Sequence, residues 1–113
     1  MKDHEPTNFL KDILDSIELI ENYVLDLDYE DFSNDQKTVD AVIRNLEVIG
    51  EAAKNISEEF RNKHPNLPWR EMAGMRDKLI HGYFDVMYSI IWVTVKNDLP
   101  FIRSEIMKIL GEK

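Results

Sequence analysis

Between Met75 and Phe84 the chain reads Met-Arg-Asp-Lys-Leu-Ile-His-Gly-Tyr-Phe, gathering an arginine, a carboxylate, an imidazole and a phenol in one short stretch. A histidine whose pKa lies near the working pH can take the proton from a ribose 2′-hydroxyl, or return one to a leaving oxygen. Arg76 can neutralise the charge that builds on a phosphorane, and its planar fork matches two phosphate oxygens. Tyr83 can hydrogen-bond the phosphate or stack on a base. Asp77 can orient Arg76 or His81, or simply face solvent. Taken together, these residue types suit cleavage of a phosphodiester without a metal.

Spacing alone does not bring them together. Arg76 and His81 are five apart, so on a straight helix they diverge by about 140°. Convergence requires the helix to end at Gly82, a residue that readily takes the left-handed conformation closing helices. His81 then sits in the last turn, and Tyr83 follows on the connection. A plainer reading stays open at this level. Histidine is favoured near helix C-termini by the helix dipole, and Arg76 can belong to a surface ion pair.

Other chemistry-bearing residues have ordinary readings. Glu47 and Glu51 are one turn apart, but Arg44 one turn earlier offers an ion-pair partner, so surface acids are the simpler assignment. Arg70 and Lys78 can meet phosphate, although solvated charge is the default. His64 precedes a proline and reads as a capping or solvated residue. Trp69 and Trp92 read as core or dimer anchors, and His4 falls in a polar terminus. With no cysteine, and with His4, His64 and His81 at no metal-ligand spacing, neither a metal nor a cofactor is expected.

The formal charge of −8 argues at first against a nucleic-acid partner. Its distribution points the other way. Residues 1–35 carry eleven acidic side chains against Lys2 and Lys11, whereas residues 36–113 carry twelve basic and eleven acidic ones. From Arg61 to His81 there are five lysines and arginines and two histidines against Glu71 and Asp77. Screening confines surface fields to about 8 Å at physiological salt, so a polyanion can approach this segment.

The elements that must position these residues are helical. A length of 113 residues fits one domain, read as 1–113. Leu10, Ile13, Leu14, Ile17, Ile20, Val24 and Leu27 form a helical stripe entered near Pro6-Thr7. Residues 26–33 read as an acidic connection, with Tyr29 and Phe32 tucked back onto the core. A second, long helix starts around Ser33-Asn34-Asp35 and its stripe runs from Val39 to Phe60. Gly50, Ala52 and Ala53 strip bulk from its middle, implying a close neighbour within the chain or across a dimer. His64-Pro-Asn-Leu-Pro68 breaks the pattern. A short helix from Trp69 to His81 follows, then one with Asp85 as N-cap that is apolar on more than one face and reads as central. Pro100 must kink or split that last helix. The architecture is an all-α four-helix bundle. The longest apolar run near the C-terminus, residues 90–95, is far short of the roughly 20 residues that span a bilayer. No signal-peptide pattern opens the sequence, so the expectation is a cytoplasmic protein.

The extended string Arg76-Asp-Lys-Leu-Ile-His81-Gly-Tyr83 resembles the Arg-x4-His-x-Tyr motif of HepT-like toxins, a branch of the HEPN superfamily of helical ribonucleases. Asn45-Leu-Glu-Val-Ile-Gly-Glu-Ala-Ala-Lys-Asn-Ile-Ser57 resembles that family's second helix. Pro68-Trp-Arg-Glu-Met-Ala-Gly-Met75 is similar to its approach to the motif, and Asp98-Leu-Pro100 to its late kink. The likeness spans about residues 8–110. It implies a HEPN-type bundle that forms a homodimer, with two motifs facing a shared cleft where RNA is cut without metal. It also implies that Arg76 and His81 are the catalytic pair, and that Asp77 is a supporting polar residue. Tyr83 matches the tyrosine to which a minimal nucleotidyltransferase antitoxin adds AMP, blocking the ribonuclease. The alternative is a non-catalytic HEPN-type dimer that binds a nucleotide or a partner enzyme.

Overall fold

The computed structural model describes the backbone of residues 5–80 and 84–111, and their side chains except those of 76–80 and 84–87. Helices dominate it: α1 (Pro6–Tyr23), α2 (Tyr29–Ser33), α3 (Gln36–Asn55), α4 (Glu58–Lys63), α5 (Trp69–Ile80), α6 (Phe84–Val93) and α7 (Leu99–Ile109). A π-turn over Thr94–Asp98 joins the last two. No strand occurs among the described residues.

The central helix is α3, which packs against α1 on one side and α5 on the other. The reason lies in its sequence. Val39, Val42, Leu46, Ile49 and Ala53 are buried, and so are Gly50 and Ala52, giving a buried face wide enough for two neighbours. The bulk missing at Gly50, Ala52 and Ala53 therefore serves burial within the chain. From α1, Leu10, Ile13, Ile17 and Ile20 are fully enclosed, as their stripe requires. Pro6 occupies the first turn of α1, where its missing N–H costs nothing.

Three boundaries differ from expectation. The connection after α1 contains a helix of its own: Asp28 accepts from the Asp31 amide at 2.8 Å while Asp31 accepts from the Asp28 amide at 3.3 Å. This reciprocal cap nucleates α2, and it drives Phe32 fully into the core. Tyr29 stays about 39% exposed and meets Trp92 edge-on at 6.1 Å. The second helix does not reach Phe60. Ile56 and Ser57 are extended, and the Ser57 hydroxyl accepts from the Phe60 amide at 3.2 Å, starting α4. A serine that bonds its own backbone offers an alternative to helix continuation. Finally, α6 begins at Phe84, which places Asp85 inside the helix instead of at its N-cap.

Pro100 acts through register. The Leu99 amide donates five residues back, to the Thr94 carbonyl, and Pro100, which has no N–H, enters the first turn of α7. The π-turn absorbs the lost bond without an outright break, since Val93, Asp98 and Leu99 all keep right-handed helical backbone. Among its described side chains, the helix expected to be central is buried on one face only. Ile91 is buried, but Ile90 and Val93 are each about half exposed, as is Phe101 beyond the turn. Among the described residues, nothing covers this second apolar face of α6.

Candidate active site

The motif begins on α5, and the start of that helix is firmly built. The Trp69 indole N–H donates to the His64 carbonyl at 2.8 Å, drawing the Pro65–Pro68 loop against the helix. The Met72 amide donates to the Pro68 carbonyl at 2.9 Å, so Pro68 stands just ahead of the first turn. Leu67, Trp69 and Met72 are buried, and Met75 packs partly against the same core. These contacts set the rotation of α5 on α3.

Rotation decides where the motif emerges. Arg76 is four residues past Met72, about 40° away around the helix, and so shares the register of the core-facing stripe. Asp77 is about 140° from Met72 and belongs to another face. Both lie on the described backbone of α5, whose last residue is Ile80; their side chains lie outside the described residues. His81, Gly82 and Tyr83 also lie outside them, between Ile80 and Phe84. The predicted convergence of Arg76, His81 and Tyr83, and the closing role of Gly82, accordingly rest on sequence.

On the far side of that interval, α6 is tethered to the start of α3. The Tyr88 hydroxyl donates to Gln36 Oε1 at 2.9 Å, and Gln36 Nε2 donates to Asp40 Oδ1 at 2.8 Å. Nearby, Asp35 caps α3. Its carboxyl is held below the usual value by the Thr38 hydroxyl above all and then by the Thr38 amide, against an opposing desolvation, with the Lys37 amide and charge adding less. Asn45 is a buried polar residue of α3, its amide donating to the Ala41 carbonyl at 3.0 Å.

Among the described residues no three His, Asp or Glu side chains come together as a metal-binding group. The ion pair expected between Arg44 and Glu47 or Glu51 is not formed among them, while the Glu51 carboxylate meets the Asn55 amide at a long 3.5 Å. His64 ends α4 with its ring against Phe60 at 4.6 Å. No helix among the described residues is long and apolar enough to cross a membrane.

One feature escaped sequence reasoning. Arg61 and Arg70, read as solvated charges or passed over, line a common groove with Trp69. The two prolines between them, Pro65 and Pro68, were the signal to follow, because a tight turn there folds α5 back toward α4.

The profile of the family described as "Ribonuclease HepT-like" matches residues 13–109. A protein of Thermococcus cleftensis named "Probable ribonuclease HepT" is 52% identical over 102 residues, covering 90% of this chain and 93% of the relative. A "Putative RNase" of Methanocaldococcus jannaschii is 51% identical, covering 92% and 90% respectively. A "Putative RNase" of Caldanaerobacter subterraneus is 46% identical and covers 96% of both chains. No solved structure matches significantly.

Proposed function

This chain belongs to the HepT-like ribonuclease family, and from that premise we propose that it is a metal-independent endoribonuclease toxin acting through Arg76 and His81. The observation that carries the reading is the string Arg76-x4-His81-x-Tyr83 inside the matched residues, starting on the core-anchored register of α5. In the proposed reaction His81 takes the proton of a ribose 2′-hydroxyl as that oxygen attacks the adjacent phosphorus. Arg76 offsets the charge on the phosphorane, and the 5′-oxygen of the next nucleotide departs with a proton from solvent, leaving a 2′,3′-cyclic phosphate. Asp77 supports the pair as a polar neighbour.

The active unit is a homodimer. The half-exposed Ile90 and Val93, three residues apart on one face of α6, support this: exposed apolar patches mark association surfaces. Control falls to Tyr83. Its hydroxyl attacks the α-phosphorus of ATP on a minimal nucleotidyltransferase antitoxin, pyrophosphate leaves, and the resulting AMP ester places negative charge and bulk where the RNA phosphate must sit.

The test is direct. Wild type, Arg76→Ala and His81→Ala are expressed alone in bacteria, and each purified protein is incubated with RNA in EDTA. Growth arrest and cleavage by the wild type only are expected. An unadenylylated wild type that is harmless and inert on RNA overturns the reading, and leaves a non-catalytic nucleotide- or partner-binding dimer, which the −8 net charge favours. Intact mass with a cognate nucleotidyltransferase and ATP tests the modification; an adduct that survives in Tyr83→Phe refutes its assignment.

A further inference from the structure

At the other end of α5 from Ile80, a groove of about 360 Å³ opens between α4 and the first turn of α5, lined by Glu58, Arg61, Asn62, Pro65, Trp69 and Arg70. Arg61 Nε is buried there with no hydrogen-bond partner. An atom so enclosed cannot itself meet a ligand, so an acceptor from outside must be met by the terminal nitrogens of the guanidinium. Among the described residues neither Arg61 nor Arg70 forms an ion pair, although Glu58 stands one turn before Arg61. The walls are fixed in advance by the Trp69–His64 hydrogen bond and by the Phe60–His64 ring contact.

Two arginines without an ion pair among the described residues, on a shaped groove, suit a phosphate, whose oxygens accept parallel N–H bonds from a guanidinium. Asn62 adds amide donors. The groove is separate from the motif. Arg70 precedes Arg76 by six residues, about 9 Å along the helix and about 120° around it, so the two belong to different faces of α5. We propose that this groove is a second phosphate site, holding the backbone of the single-stranded RNA substrate a few nucleotides from the cut. It rests on the ribonuclease reading above, and it gives an acidic protein a local cationic grip on a polyanion.

The experiment measures KM and its salt dependence for cleavage of a long single-stranded RNA by the full-length protein. Arg61→Gln/Arg70→Gln is expected to raise KM several-fold at low salt. The slope of log affinity against log salt becomes shallower by about 0.7 for each phosphate no longer neutralised. Arg61→Lys/Arg70→Lys restores the slope but only part of the affinity, because lysine supplies charge without the fork. Glu58→Gln, which removes the competing carboxylate, lowers KM, an outcome that misfolding does not imitate. Unchanged KM and slope in the double glutamine variant, with an active wild type, overturn the inference alone. A wild type that binds the RNA without cutting it overturns the ribonuclease reading, and anisotropy titrations of the same variants then decide the groove by the same slopes.

Discussion

Replacing Trp69 by phenylalanine isolates the bond that joins the Pro65–Pro68 loop to the helix carrying Arg76. The tryptophan keeps only 8% exposure, and its indole N–H reaches the His64 carbonyl at 2.8 Å. That carbonyl also receives the Leu67 amide at a poorer 3.4 Å, so phenylalanine does not leave it wholly unpaired. Loss of the indole bond costs about 1 kcal/mol net. The smaller ring adds a packing deficit of about 1 kcal/mol, well below the 3–5 kcal/mol typical of truncating a tryptophan to alanine. With a urea m-value of roughly 1–3 kcal/mol/M for a small domain, about 2 kcal/mol moves the unfolding midpoint down by on the order of 1 M. Urea titration followed by circular dichroism reads this directly, with the m-value expected to stay constant. A midpoint within about 0.2 M of wild type refutes the reasoning, because the loop is then held by its prolines and Leu67 alone. A loss as large as that of Trp69→Ala refutes it in the other direction, since ring burial would contribute nothing.

Three further outcomes follow from the same structure. Ile17→Ala, in the enclosed face of α1, costs about 2–5 kcal/mol in chemical denaturation; a smaller loss means the α1–α3 seam collapses readily onto the gap. Asp35 has a lowered carboxyl pKa in the fold, so its contribution is present above the unfolded value near 3.8 and fades as pH falls through the lower folded value. The stability difference between wild type and Asp35→Ala should therefore be constant above about pH 5 and shrink toward pH 3; a difference that grows on acidification is incompatible with it. Tyr88→Phe removes only the hydroxyl that reaches Gln36. Because the site is exposed, global stability should fall by less than about 1 kcal/mol, while hydrogen exchange at the start of α6 quickens relative to α1.

How much of this was legible beforehand depends on which physical signal carried it. The α1 stripe and the break at residues 64–68 were readable, because periodicity and paired prolines are local signals. The end of α3 was not. Ile56 and Phe60 continue the apolar spacing, and Ile56 is indeed buried, yet the Ser57 cap interrupts the helix between them. Likewise Asp28 and Asp31 read as mere acidity until their reciprocal cap is seen. The apolar α6 reads as central because composition cannot distinguish a helix buried in its own chain from one with a face left open. The motif itself came from an eight-residue string and its family likeness. What the fold adds is that Arg76 shares the core-facing register of α5 with Met72. The Arg61–Arg70 groove was hidden, since only the turn between them brings residues nine apart onto one surface.

Gly74 shows where the fold and the function can be set against each other. It lies inside α5, two residues before Arg76, and a methyl group placed on it meets no described atom within 4 Å beyond its chain neighbours and its own helix backbone. Glycine in a helix interior is less favourable than alanine by about 0.8–1 kcal/mol, mainly through the freedom it has when unfolded. Crowding within the described chain does not offset that cost. Gly74→Ala should accordingly stabilise the protein by about 0.5–1 kcal/mol, raising the melting temperature by a few degrees for a domain of this size. Cleavage measured on the same preparation then separates two explanations for the glycine. If activity is unchanged, the position carries only a stability deficit that substitution removes. If stability rises while cleavage or dimerisation falls, the open surface at Gly74 is where RNA or a second copy comes close to the helix backbone. A variant less stable than wild type contradicts both, because it requires an intrachain contact at a position where the structure has room for the added methyl.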